Sequence, residues 1–90
     1  MIFEWDEAKN LINIAKHGVS FELAVRIFDG PVLSWLDQRT DYGELRGVSI
    51  GMIDQAAVLT VVHTDRSGRV RIISARPASR AERSRYDQAL

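Results

Sequence analysis

The side chains best suited to chemistry fall near the two ends of this chain. Close to the start stands Lys16-His17-Gly18, and late in the chain runs Arg69-Val70-Arg71-Ile72-Ile73-Ser74-Ala75-Arg76. Imidazole is the one side chain whose ordinary pKa lets it give and take a proton near neutrality. Guanidinium offers a planar fork matched to phosphate or carboxylate. The arginines are thus compatible with a local phosphate site, and the histidine with acid–base work. Each also has a plainer reading. His17 falls in the last turn of a helix, where a cation suits the helix dipole. Arg71 and Arg76 could be structural ion pairs with the acidic N-terminal half. On a regular strand Arg69, Arg71 and Ile73 share one face, and Val70, Ile72 and Ser74 share the other. An arginine among apolar residues needs a carboxylate partner or a groove.

Glu44 and Arg46, two apart where a loop enters a strand, read either as a general base beside a phosphate clamp or as a local ion pair. His63 sits late in an apolar strand and reads as a satisfied core histidine. Two histidines without helical spacing to carboxylates make no convincing metal site. There is no P-loop, no G-x-G-x-x-G and no G-x-S-x-G, so nucleoside triphosphate and serine hydrolase chemistry lack support. The seven aromatic residues do not cluster in the strand pattern of an RNA-recognition sheet.

The elements that must position these groups are legible from pattern. Phe3-Glu4-Trp5 suggests a short strand. Asp6 is placed to cap a helix over 7–17, with Ala8, Leu11, Ile12 and Ala15 as its apolar side and Gly18 at its end. Ser20 caps a second helix over 21–28, which Asp29-Gly30-Pro31 stops. Strands follow at 32–37, 45–53, 56–64 and 69–75. A polar loop lies at 38–44, and turns at Asp54-Gln55 and Asp65–Gly68 indicate an antiparallel meander. Gly47 and Gly51 suggest a bulge or close packing. Ser79-Arg80-Ala81-Glu82 is a capping box that starts a last helix over 80–89. The predicted fold class is α+β: two N-terminal helices on a four-stranded, mainly antiparallel sheet, with a short N-terminal strand and a C-terminal helix.

Ninety residues allow one domain, 1–90. The composition is that of a folded globule, with 46 % hydrophobic and 27 % charged residues. The longest apolar run, at 56–59, falls far short of the roughly 20 residues a bilayer span needs. The N-terminus lacks a secretory pattern, so a cytoplasmic setting is expected. The absence of cysteine excludes disulfides, thiolate catalysis and Cys-ligated zinc. The net charge of zero conceals −5 over residues 1–65 and +5 over residues 66–90, where every cation is arginine. Such segregation fits a local phosphate site, or a solvated basic helix with helix-end ion pairs. It does not fit a general attraction to nucleic acid.

Taken in order, Phe3-Glu4-Trp5-Asp6, Lys9, Asn13, Lys16-His17-Gly18-Val19 and Phe21 resemble the N-terminal signature of BrnT toxins. So do Tyr42-Gly43-Glu44-x-Arg46, Thr64, Arg71-Ile72-Ile73-Ser74-Ala75-Arg76, Glu82 and Tyr86, with the spacing kept over nearly the whole chain. The resemblance implies a RelE-like toxin of a type II toxin–antitoxin system that cleaves RNA, without a cofactor or metal, and stops translation. It implies a BrnA-like antitoxin, a heterotetrameric complex, and contact with operator DNA only through that antitoxin. A chemistry of this kind needs a base for the 2′-hydroxyl, cations for the phosphorane and an acid for the leaving oxygen. Arg71 and Arg76 would hold the phosphate. His17, with Lys16 beside it, would move protons, and Glu44 and Tyr86 would assist. Arg46, Arg69, Arg80 and Arg83 are candidates for contacts to the RNA. Trp5 and Asp6 brace the first helix. The competing expectation is a non-catalytic module, derived from such a toxin, that binds an antitoxin or represses with it.

Overall fold

The computed structural model describes residues 1–37 and 44–90. Most of the loop expected at 38–44, with Tyr42 and Gly43 of the BrnT signature, lies outside the described residues.

Among the described residues five strands form one sheet in the order β1-β5-β4-β3-β2: β1 Phe3–Glu4, β2 Val32–Asp37, β3 Arg46–Ile53, β4 Ala57–Arg66 and β5 Arg69–Pro77. Strands β2 to β5 make the expected antiparallel meander. The sheet is nevertheless five-stranded and mixed, because β1 joins it parallel to β5, with Phe3 beside Val70 and Glu4 beside Arg71. The two tight turns carry positive φ where expected: Asp54 and Gln55 between β3 and β4, Ser67 and Gly68 between β4 and β5.

The described residues also form three α-helices: α1 Glu7–His17, α2 Phe21–Ala24 and α3 Arg80–Ala89. The second helix is shorter than its pattern suggests. After four residues it tightens into a 3-10 segment, Val25–Asp29, which carries Ile27 into the core. The close packing expected at Gly51 is met here, since a Cβ on Gly51 would lie 2.6 Å from Ile27 Cβ. Gly47 likewise leaves room for the His63 ring.

The α2 face of the sheet carries the larger core, with Phe21, Ile27, Leu59, Val61, Ile72 and Ala75. The α3 face carries a smaller one, where Tyr86 packs on Ile50 and Val58.

The first helix reverses its expected orientation. Ala8, Leu11, Ile12 and Ala15 are exposed, and the buried residues of α1 are Asn10 and Asn13. The reason lies in where the helix sits. β1 covers the outer edge of β5 only at Val70–Arg71. Further along, Asn13 takes over: its Oδ1 accepts from Ala75 N–H at 3.2 Å, and its Nδ2 donates to Ala75 O and Val19 O at 2.8 Å each. A carboxamide offers one donor group and one acceptor side by side, which matches an unpaired strand residue. Asn10 performs the parallel task at the next helix, accepting from Phe21 N–H and donating to Glu7 and Glu22.

Candidate active site

Strict alternation would put Arg71 and Arg76, five residues apart, on opposite faces of β5. A bulge prevents this. His63 pairs with Ile72 and Val62 with Ser74, leaving Ile73 without an opposite number on β4. The extra residue shifts the phase of the strand. Val70, Ile72 and Ala75 face the α2 core. Arg69, Arg71, Ser74 and Arg76 therefore share the α3 face. The expected partition of Ile73 with the arginines and Ser74 against them is corrected by this single residue. Arg46, opposite Asp37 in the β2–β3 register and in phase with Val48, lies on the same face.

Where α3 crosses this face, a groove of about 310 Å³ opens, lined by Trp35, Val48, Thr60, Val62, Arg76, Glu82 and Arg85. Helical spacing turns Glu82, Arg85 and Tyr86 toward the sheet. Arg76 donates to both carboxylate oxygens of Glu82, at 2.7 and 2.8 Å. The same carboxylate accepts from Thr60 Oγ1 and from the backbone N–H of Ser79. The Arg76 hydrogen bonds, aided by those from Ser79 and Thr60, outweigh the effect of burial and hold the Glu82 carboxyl down at about 2. Glu82 is thus an anion throughout the physiological range, suited to orienting Arg76 rather than to exchanging protons. Arg85 lies over the Trp35 ring, 4.4 Å from its centroid.

Arg71 sits at the other end of the face, where its Nη1 donates to Glu4 Oε2 at 3.0 Å. Arg69 reaches the second oxygen of Glu4 at 3.6 Å. The ion pair with the N-terminal half expected as one alternative for Arg71 is thus present, and among the described residues Arg76 pairs with Glu82. Glu44 pairs with Arg66 at 3.4 Å, not with Arg46 as the local alternative had it. Tyr86 is buried, and its hydroxyl donates to Pro31 O at 3.4 Å. Arg80 and Arg83 project from α3 away from the groove, Arg83 toward Asp87.

Lys16 and His17 do not share the groove. They line a separate depression of about 200 Å³ at the outer edge of β5, with Lys9, Ile12, Asn13, Ile73 and Ser74. The bulge separates the two sites: Ile73 and Ser74 border the depression, while Arg71 and Arg76 emerge on the α3 face either side of them. His63 behaves as the core histidine expected. Its Nε2 lies 2.8 Å from Ser49 Oγ, Phe28 meets its ring edge-on, and burial lowers its pKa. Among the described residues no group of three or more His, Asp or Glu is placed to hold a metal ion.

Sequence reasoning alone missed the roles of Glu82, Trp35, Thr60 and Arg85. Glu82 read as one residue of the BrnT signature and as the far half of a capping box, which it is, both reciprocal bonds being present. Its further task could be inferred only once Arg76 was known to face it.

A model of the family described as the ribonuclease toxin BrnT of type II toxin–antitoxin systems matches residues 5–82. The chain belongs to the BrnT family. Among solved structures it is similar to the Brucella abortus ribonuclease toxin BrnT, with a TM-score of 0.67 and 26 % identity, over 89 % of this chain and 100 % of that one. No curated protein sequence matches it. Membership makes this BrnT-type chain a ribonuclease toxin of a type II system and implies an antitoxin partner. Among the described residues no helix is long and apolar enough to cross a membrane.

Proposed function

We propose that this BrnT chain, on a RelE-like scaffold, cuts RNA on the α3 face of its sheet without a metal ion, and so stops translation. The observation that carries the reading is the convergence of Arg46, Arg71, Arg76 and Arg85 on one face of a ribonuclease-family chain, beside the half-buried ring of Trp35. Phosphates would track the guanidinium groups, and a base would stack near Trp35. The 2′-oxygen attacks the adjacent phosphorus as its proton passes to a base. A 2′,3′-cyclic phosphate forms, and the 5′-oxygen leaves with a proton from an acid. Arg71 and Arg76 stabilise the charge that develops on the phosphorane.

His17, with Lys16 beside it, is the proposed proton carrier. It acts on RNA that passes over the β5 edge at Ser74. Glu44 and Tyr86 are secondary, since one is paired with Arg66 and the other is buried. The orientation of α3 moves the proposed RNA contacts from Arg80 and Arg83 to Arg85, with Arg46 and Arg69 retained. A BrnA-like antitoxin neutralises the toxin in a heterotetramer and supplies its operator binding, and the pair works in the cytoplasm.

Cleavage of purified RNA, with and without EDTA, tests the reading. Parent protein should yield cyclic-phosphate ends at equal rates in both conditions. Arg71→Ala and His17→Ala should fold and lose activity. RNA left intact by parent protein leaves an antitoxin-binding module instead. Cleavage abolished by EDTA moves the chemistry to a metal, and folded variants that arrest growth as strongly as the parent remove these two residues from it.

A further inference from the structure

The outward face of α1 has no role in the reading above. Ala8, Leu11, Ile12 and Ala15 follow the i, i+3, i+4, i+7 spacing of a helix-packing stripe. All four are exposed, Leu11 at 61 % and Ile12 at 65 %. The stripe cannot be the helix's own core side, because Asn10 and Asn13 hold the opposite side against the rest of the protein. In heptad terms Ala8 and Ala15 take one seam position, Ile12 the other, and Lys9 and Lys16 the flanking position. The alanines permit close approach of a second helix. The lysines stand seven apart in one row, and neither forms an ion pair among the described residues.

We infer that this face of α1 is the docking seam for an amphipathic helix of the antitoxin, one whose apolar stripe is bordered by carboxylates that pair with Lys9 and Lys16. That the partner is the antitoxin rests on the type II toxin reading; the shape and charge of the seam do not. A second copy of this chain is a poorer occupant. Antiparallel pairing about a two-fold sets Lys9 of one copy beside Lys16 of the other, like charge on like. Parallel pairing sets Lys16 of one copy beside Leu11 of the other, where it meets no carboxylate. Lys9, Ile12 and Lys16 also line the depression that holds His17. A helix seated on the seam therefore covers that depression while leaving the α3 groove open.

The probe is the protein encoded by the open reading frame adjoining this gene, titrated against the purified chain. Leu11→Glu and Ala15→Glu change exposed positions outside both the groove and the depression. They should weaken binding about a hundredfold while RNA cleavage by the chain alone stays at the parent rate. Lys9→Glu should weaken binding about tenfold in low salt, and the difference should vanish near 1 M salt. The inference is overturned if the parent does not bind, if the glutamate variants bind at full affinity, or if the chain alone is a dimer that Leu11→Glu dissociates. Binding losses without any RNA cleavage by the parent would remove the enzyme reading and leave the seam standing. Cleavage with unaltered binding would do the reverse.

Discussion

Arg76 donates to both oxygens of Glu82, and Thr60 and Ser79 hold that carboxylate in place. The plane of the guanidinium is thereby set before any RNA arrives, which lowers the ordering cost of meeting a phosphate. Arg76→Lys would keep the charge and lose the fork, so it should recover little of the roughly hundredfold loss in cleavage rate expected for Arg76→Ala. Rates near those of the parent in Arg76→Lys would reduce the site to a point charge. Glu82 gives a second, independent check. Its carboxyl sits at about 2 in the folded chain against an ordinary 4.5, so between these values the unfolded chain binds the proton more readily. The stabilisation is fully present above about pH 4.5 and is lost as pH falls toward 2. Urea midpoints measured across this range should fall steeply for the parent and less steeply for Glu82→Gln. Parallel curves would mean that the Arg76 clamp contributes nothing to folding.

At the scale of elements, β5 is organised by what happens at its outer edge and at its bulge. Asn13 satisfies both backbone groups of Ala75 and the carbonyl of Val19. Asn13→Leu fills similar volume but leaves these groups unpaired, and should cost roughly 3 kcal/mol in chemical denaturation. A cost below about 1 kcal/mol would mean that water replaces the amide there. Gly51→Ala should cost about 1–3 kcal/mol, because its Cβ would press on the buried Ile27. These positions also mark what the sequence could and could not tell. The capping box at Ser79, the turns at Asp54-Gln55 and Ser67-Gly68, and the meander rest on local rules, and the fold obeys them. The orientation of α1 was not legible, because an apolar stripe reads the same whether it faces its own core or a partner. The bulge at Ile73 was not legible either. No Gly or Pro marks it, and it follows from the pairing of two strands rather than from one segment. With it went the common face of Arg71 and Arg76, and so the groove.

Over the whole molecule, zero net charge divides into an acidic first part and an arginine-rich end, and the fold divides that end again. Arg76 and Arg85 line the α3 groove, the strand register sets Arg46 and Arg71 on the same face, and Arg80 and Arg83 point from the far side of α3. A neutral protein has little long-range attraction for RNA, so affinity must come from the phosphates that touch this strip. Each contact with a single strand releases about 0.7 of a counterion, so three or four contacts give a slope of about −2 to −3 for log affinity against log salt. An oligonucleotide with a deoxyribose at the cut site allows that slope to be measured without cleavage. Arg85→Ala should reduce its magnitude by about 0.7, and Arg83→Ala should leave it unchanged. If Arg83 carries the dependence and Arg85 does not, RNA runs along the outer side of α3, and a bulge that gathers arginines on the other side has no part in holding it.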